Sequence, residues 1–301
     1  MESKQITLET YKFIANWIKN SKTFIITAGA GMGVDSGLPD FRGPQGFWTN
    51  YQSFRNKFRF EECANPLFKE QHPNYFWGFY GHRLQLYREV KPHKGFQILL
   101  DFINQKQIQQ HFVLTSNVDG HFQKAGFNPN NIYEFHGSIN HFQCNNCYEI
   151  YPADGHQITY DDSFKAQNPL PTCQLCQSDK VRPNILMFND YDYISDRVDE
   201  QSQNFEKFRK NLYKNNNKKD LITIMEFGAG KFVSSTRNFS EELFLDEDLD
   251  NILFVRVNPR DYQNPYRWKD KKLENQGKNF IGINEGSLSA LTKIQDQINK
   301  I

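Results

Sequence analysis

The chain has 301 residues, with 36 basic and 35 acidic side chains and a formal net charge of +1 at pH 7. This balance gives no general electrostatic attraction to nucleic acid or to an anionic membrane, and no apolar run approaches the roughly 20 residues that span a bilayer. The first residues, MESKQITLETYKF, lack the apolar core of a signal peptide. We therefore expect an intracellular protein, with the cytoplasm favoured over the nucleus and an organelle left open.

Helical and strand-like patterns alternate along the chain. Apolar residues recur at helical spacing in four segments, 8–20, 94–105, 196–212 and 287–298. Short apolar runs typical of buried strands occur in six, 23–27, 111–115, 181–188, 221–227, 252–257 and 279–283. Residues 46–88 are irregular and rich in aromatic side chains, which predicts an inserted module of short helices. The alternation predicts an α/β fold with a doubly wound parallel sheet.

A glycine-rich stretch, GAGMGVDSGLPDFRG, begins at Gly29 directly after the first predicted strand. Glycines at this place allow a tight turn whose backbone N–H groups approach a phosphate. The spacing differs from the usual dinucleotide fingerprint, because Val34 stands where its third glycine would be. A lone GxG is more often a plain turn. The acid, aromatic and cation that follow Pro39 favour a nucleotide site.

Four of the five cysteines form two CxxC pairs, Cys144 with Cys147 and Cys173 with Cys176. Two such pairs in an intracellular chain predict a tetrahedral Zn²⁺ site. Because four thiolates leave no open position for water, the predicted role is structural. Four reduced, free thiols are the alternative. Cys63 has no partner pair and is expected to be an ordinary buried thiol.

The glycine-rich stretch resembles the signature loop of the sirtuins, the NAD-dependent protein lysine deacylases. TSNVDG at 115–120, His136-Gly137 and the paired CxxC units follow in the family's order. The resemblance covers nearly the whole chain, closely as far as Phe188 and weakly afterwards. It implies a Rossmann-like NAD-binding domain formed by 1–45, 89–140 and 181–301, a helical insert at 46–88 and a zinc-binding module at 141–180.

The resemblance also assigns residues that would bind NAD. In the first loop these are Ala28, Gly29, Ala30 and Gly31 for the pyrophosphate, Ser36 for the nicotinamide pocket, and Asp40, Phe41 and Arg42 for the ribose and phosphate. Asn117 would hold ribose or water, and Asp119 the nicotinamide carboxamide, with a simple loop cap as the alternative for Asp119. Ser116 replaces the family's glutamine and shortens any ribose contact.

Two further NAD contacts are implied in the less similar half of the chain. Gly228 begins a GAG turn where the family has GTS, so a hydroxyl pair is missing. Asn258 matches the family pattern, whereas Arg260 replaces a glutamate.

The catalytic base implied by the resemblance is His136. In the family mechanism nicotinamide leaves NAD, the acyl oxygen attacks the ribose, and a base then deprotonates a ribose hydroxyl. Histidine suits this role because its ordinary pKa of about 6.5 lies near working pH. Asn117 is the second residue assigned to catalysis.

On the substrate side, residues 182–188 resemble a segment that pairs with the substrate peptide, and Phe188 would pack on the lysine stem. Tyr80 and Arg83 lie one helical turn apart and resemble the YxxR pair of sirtuins that remove succinyl, malonyl or glutaryl groups. A guanidinium with a phenol suits a distal carboxylate. The alternative is that Arg83 is an ordinary solvated residue.

The sequence thus predicts an enzyme acting on acylated-lysine proteins, with NAD as co-substrate and structural Zn²⁺. Acetyl groups are expected substrates, and the YxxR pair extends the prediction to succinyl and malonyl groups. The alternatives are an NAD hydrolase or mono-ADP-ribosyltransferase, and an inactive NAD-sensing interaction module. The sequence predicts neither nucleic-acid nor membrane partners, and it leaves the oligomeric state open.

Overall fold

The computed structural model describes residues 6–40, 47, 49–214, 219–264 and 271–301. Within these ranges the strands form a six-stranded sheet and a separate three-stranded sheet. In chain order the strands are β1 Ser21–Ala28, β2 Gln110–Thr115, β3 Ile132–Glu134, β4 Gly137–Cys144, β5 Ile150–Pro152, β6 Val181–Ile185, β7 Leu221–Phe227, β8 Ile252–Val257 and β9 Asn279–Ile283.

The α-helices within the same ranges surround the larger sheet and cover the smaller one. They are α1 Leu8–Asn20, α2 Phe60–Cys63, α3 Pro66–Gln71, α4 Pro73–Glu89, α5 Lys94–Ile103, α6 His121–Lys124, α7 Asp196–Lys214, α8 Ser235–Leu245, α9 Lys271–Asn275 and α10 Ser287–Ile298. No helix in the described part of the chain has the length and apolar character needed to cross a membrane.

The six-stranded sheet is parallel throughout, in the order β3-β2-β1-β7-β8-β9. The chain builds outward from β1 to β3 and then returns to the other side of β1 for β7. In open α/β sheets, ligands bind outside the carboxyl ends of the strands where the strand order reverses. The predicted doubly wound sheet is confirmed, and its reversal point lies between β1 and β7.

Both faces of this sheet are covered, which explains the unbroken apolar character of β1. Phe24 and Ile26 pack into a core with α1, α5 and α10, whereas Ile25 faces a second core that includes Phe205 and Phe208 of α7. Successive side chains of a strand point to opposite faces, so a strand between two helical layers must be apolar at every position.

A third core joins the aromatic helices to the cysteine-containing segment. Trp77 of α4 packs on Phe142 of β4, with ring centroids 5.5 Å apart. At Gly78 a Cβ atom would lie 1.9 Å from the carbonyl oxygen of Phe164, so only glycine allows this approach of helix to backbone. The sequence did not predict the antiparallel β5-β4-β6 sheet of this region. The domain boundaries remain predictions, and segments 46–88 and 141–180 share one core.

The predicted elements 8–20, 221–227, 252–257, 279–283 and 287–298 are confirmed with these bounds. The predicted strand 181–188 is wrong beyond Ile185. There the N–H groups of Leu186, Met187 and Phe188 bond to His136 O, Asp190 Oδ2 and Ala64 O, at 3.0, 3.1 and 2.8 Å. The segment therefore leaves the small sheet and runs beside His136.

Candidate active site

The two CxxC pairs lie together. The four Sγ atoms are all within 4.8 Å of one another, with Cys144 and Cys176 3.6 Å apart and Cys147 and Cys173 3.8 Å apart. Tetrahedral Zn–S bonds of about 2.3 Å place sulfur atoms about 3.8 Å apart. The set therefore fits Zn²⁺, and because all four positions are protein thiolates the role is structural.

Each pair is shaped by the same local turn. The N–H of Tyr148 donates to Cys144 O at 2.8 Å, and the N–H of Gln177 donates to Cys173 O at 2.9 Å. Tyr148 and Gln177 both have left-handed backbone, with φ of 61° and 62°. Two equivalent turns thus present two thiols each toward a common centre.

Two glycine turns meet at the reversal point of the large sheet. The first turn follows β1, and the second, Gly228-Ala229-Gly230, follows β7. The N–H of Gly31 donates to Gly228 O at 3.1 Å. Gly228 has a φ of 59°, and a Cβ there would lie 2.3 Å from the carbonyl carbon of Gly31. The two turns therefore contact each other directly through backbone.

A cavity of about 340 Å³ opens at these turns. Its wall combines predicted NAD, catalytic and substrate residues from distant parts of the chain. Among them are Gly29, Ala30, Asp40, Ser116, Asn117, Asp119, His136, Gly228, Tyr80, Arg83 and Phe188. The structure thus brings most of the predicted site into one place.

Asn117 connects the end of β2 to the first turn. Its Nδ2 donates to Gly29 O at 3.1 Å, and its backbone N–H donates to Thr115 Oγ1 at 3.0 Å. Thr115 Oγ1 in turn donates to Ala28 O at 2.9 Å. The amide is thereby held in one orientation at the cavity wall.

Asp119 lies on the cavity wall and also caps a helix. Its Oδ1 accepts a hydrogen bond of 2.8 Å from the N–H of His121, at the start of α6. Burial raises the pKa of Asp119 to about 6, although the His121 hydrogen bond and the charge of Arg83 oppose this shift. Asp119 therefore does form the cap that the alternative interpretation predicted, and it also lines the cavity.

His136 follows β3 and lines the cavity from the side of the small sheet. Its ring packs edge-on against Phe135, with centroids 4.9 Å apart. Burial lowers the pKa of the imidazole to about 4. The ring is therefore neutral at pH 7 and can accept a proton.

Tyr80 and Arg83 share one face of α4, as predicted, and both are buried. Arg83 is only 7% exposed, so the solvated alternative is wrong. Its Nε and Nη2 donate to Tyr87 Oη at 3.3 and 3.2 Å, and Tyr80 Oη has no hydrogen-bond partner within the described ranges. Burial raises the pKa of Tyr80, which keeps its phenol protonated as a donor.

Some predicted residues lie away from the cavity wall. Ser36 Oγ accepts from the N–H of His93 at 2.9 Å, joining the first loop to α5. Asn258 is fully buried behind the second turn, where its Nδ2 donates to Ala229 O at 2.8 Å. Ala28 contributes a carbonyl oxygen to the strand-end hydrogen bonds. The predicted contacts of Phe41 and Arg42 lie outside the described residues.

Residues 186–188, the end of the segment predicted to pair with the substrate peptide, do not form a free strand edge. Phe188 lines the cavity, is 37% exposed, and packs edge-on against Phe60. The N–H groups of residues 186–188 already have partners within the chain. These N–H groups are therefore not available as donors to an added strand.

Two polar residues are among the cavity residues that the sequence reasoning missed, Tyr87 and Thr236. Tyr87 lies four residues after Arg83, and this helical spacing could have indicated the contact. Thr236 lies in the first turn of α8. The sequence did not predict this helix, because polar and apolar residues are mixed along it.

Known proteins resemble this chain in sequence. The family model described as "Sir2 family" matches residues 29–209. An "NAD-dependent protein deacetylase" of Saccharolobus solfataricus is 31% identical over 180 residues, which are 60% of this chain and 66% of that protein. An "NAD-dependent protein deacylase" of Pyrococcus abyssi is 30% identical over 178 residues, 59% of this chain and 65% of that protein. The matches thus span slightly less than two thirds of these relatives.

The fold is also similar to that of a solved "Sir2 homolog-NAD complex". The TM-score is 0.63 at 21% sequence identity, covering 96% of this chain and 94% of the other. The likeness at this identity concerns the fold. The family model, which matches more than half of the chain, places it by sequence as well: this protein is a member of the Sir2 family.

Proposed function

We propose that this chain is an NAD-dependent protein lysine deacylase that yields nicotinamide, O-acyl-ADP-ribose and free lysine. The observation that carries the proposal is the position of His136, a neutral imidazole on the wall of the same cavity as Asn117 and the two glycine turns. The relatives named as deacetylase and deacylase support it.

Different residues of the cavity wall would serve different parts of the reaction. Gly29 and Gly31 already donate their N–H groups to Phe227 O and Gly228 O. The pyrophosphate of NAD would therefore accept from other N–H groups of the two turns, such as those of Ala30 and Ala229.

NAD supplies a cationic nicotinamide leaving group, whose departure opens the ribose carbon to the acyl oxygen. Asn117, held by Gly29 O, would orient a ribose hydroxyl or a water, and His136 would accept the hydroxyl proton as that oxygen attacks the acyl carbon. Addition of water then breaks the bond between the acyl carbon and the lysine nitrogen, so that lysine leaves as the free amine and the acyl group stays on the ribose.

We further propose that the acyl group preferred by this chain ends in a carboxylate. Tyr80 and Arg83 line the same cavity as Phe188, and both are buried. A carboxylate could accept from Arg83 and from the Tyr80 hydroxyl, which has no partner among the described residues. The rings of Phe79, Tyr80 and Tyr87 lie 5.2, 5.7 and 5.5 Å from Arg83 Cζ and exclude water from this end.

The reaction is tested by incubating the protein with NAD and one peptide sequence carrying acetyl-lysine or succinyl-lysine, and identifying products by mass spectrometry. We expect O-acyl-ADP-ribose that depends on the peptide. Free ADP-ribose formed without peptide dependence would indicate an NAD hydrolase and overturn the proposal.

The acyl preference is tested with Arg83→Met and Tyr80→Phe. Loss of a charge-assisted hydrogen bond should lower kcat/KM for the succinyl peptide about 10- to 100-fold more than for the acetyl peptide in Arg83→Met. Gln85→Met, on the exposed side of the same helix, is the matched control and should leave the ratio unchanged. Equal losses on both peptides would contradict the carboxylate preference.

A further inference from the structure

The second glycine turn lacks side-chain hydroxyls, yet the cavity contains a hydroxyl pair from two other elements. Thr236 Oγ1, in the first turn of α8, donates to Ser116 Oγ at 3.0 Å, and both residues line the cavity. Thr236 is only 1% exposed, whereas Ser116 is half-buried. Thr236 thus lies behind Ser116 as seen from the cavity.

The hydrogen bonds around this pair fix the direction of its protons. Ala28 O lies 3.4 Å from Thr236 Oγ1, but it already accepts from Thr115 Oγ1 at 2.9 Å and from the Ser116 N–H at 3.2 Å. A carbonyl oxygen has two lone pairs, so the Thr236 proton goes to Ser116. The Ser116 proton then has no protein acceptor within the described ranges and points to the cavity. Because Ser116 Oγ accepts this hydrogen bond from Thr236, its own hydroxyl becomes a stronger donor.

The place of Thr236 is itself fixed by its helix. Ser240, one turn later, donates to Thr236 O at 3.0 Å and pairs with Thr27 Oγ1 of β1 at 2.7 Å. Arg237 Nη1 donates to Ala229 O at 3.1 Å, and its guanidinium also reaches Asp261 O. The first turn of α8 is therefore anchored both to β1 and to the second glycine turn.

We infer that Thr236 is a positioning residue that orients the Ser116 hydroxyl as a donor to an oxygen of the ADP-ribose part of NAD. The inference rests on the proposed function only for the identity of the dinucleotide.

The test measures ADP-ribose binding by calorimetry, which requires no acyl chemistry. Thr236→Val and Ser116→Ala should each weaken binding about 3- to 10-fold, the net worth of one hydrogen bond. The double variant should be no weaker than Ser116→Ala, because the two residues act through one contact. Thr236→Ser keeps the hydroxyl and should bind like the wild type.

Thr292→Val is the matched control, since Thr292 also lies in a helix and donates to a carbonyl, Leu288 O at 2.8 Å, away from the cavity. If Thr236→Val does not fold, Thr236→Ala serves the same cycle. Unchanged affinity in Thr236→Val, or losses that multiply in the double variant, would overturn the inference. Wild-type protein that fails to bind ADP-ribose would overturn the proposed function as well, which separates the two.

Discussion

The side-chain amide of Asn117 donates a 3.1 Å hydrogen bond to the carbonyl oxygen of Gly29. This contact joins the end of β2 to the first glycine turn, so one residue places both the turn and its own amide at the cavity. A displacement of the reacting groups by about 1 Å can lower a rate about 100-fold.

We therefore expect Asn117→Ala to lower kcat/KM for deacylation about 100-fold. Asn128→Ala is the matched control, because Asn128 is exposed and its side chain only caps the short turn 129–131. Steady-state kinetics on an acyl peptide gives the comparison. Similar rates for the two variants would contradict a role for the Asn117 amide.

The low pKa of His136 predicts a particular response to pH. Burial lowers this pKa to about 4, below the value of about 6.5 in an unfolded chain. Between these values the folded protein binds fewer protons than the unfolded chain. The contribution of His136 to the free energy of unfolding is thus fully present above pH 6.5 and falls as the pH decreases toward 4.

The catalytic consequence is that the base stays neutral, and active, well below pH 6.5. A limb in kcat/KM near pH 6 would instead belong to Asp119, whose pKa burial raises to about 6. We expect Asp119→Asn to remove that limb, and an NMR titration of His136 to have its midpoint near 4. A His136 midpoint near 6.5 would show that the imidazole is not buried as described.

The contact between the glycine turns predicts opposite outcomes for two similar substitutions. Gly228 has left-handed backbone, and the Cβ of Gly228→Ala would lie 2.3 Å from the carbonyl carbon of Gly31. A Cβ at Gly230 would have no atom of the described residues within 4 Å. Strain of this kind should lower the melting temperature of Gly228→Ala by about 2–10 °C. Gly230→Ala should melt like the wild type. Equal melting temperatures would mean that the turns do not touch.

The thiol cluster predicts that the purified protein contains zinc. Cys176→Ser should lose the metal and melt at a lower temperature, because the unfolded chain does not retain a preformed site. Cys63→Ser is the matched control, since Cys63 is buried outside the cluster. Metal content by atomic spectroscopy and thermal melting give the readouts. Full zinc content in Cys176→Ser would contradict a four-thiolate site.

The sequence was most informative where one local rule decides the structure. The buried strands 221–227 and 252–257 show continuous apolar runs, and the CxxC pairs imply a tetrahedron directly. The part of the cavity wall that the motifs around Gly29, Asn117 and His136 form could be named because those motifs are specific.

The remainder depends on contacts between distant residues. Residues 186–188 have a strand-like composition, but His136 O and Ala64 O take two of their N–H groups away from the sheet. Ser36 belongs to a recognisable motif, yet its hydroxyl is occupied by the N–H of His93. Thr236 of α8 lines the cavity next to Ser116, which follows β2 and accepts its hydrogen bond. The spacing of apolar residues along a sequence does not indicate hydrogen bonds between residues so far apart.

The packing of Gly78 against the carbonyl of Phe164 has a consequence for the acyl group. Gly78 belongs to the helix that carries Tyr80 and Arg83, while Phe164 lies in the segment between the two thiol pairs. Helix α4 and that segment therefore pack directly against each other through backbone atoms, so that a shift of one would displace the other. A structural metal ion that takes no part in the reaction would in this way support the cavity wall that carries Tyr80 and Arg83. Under the proposed function, removal of the metal would then alter the acyl preference as well as the stability.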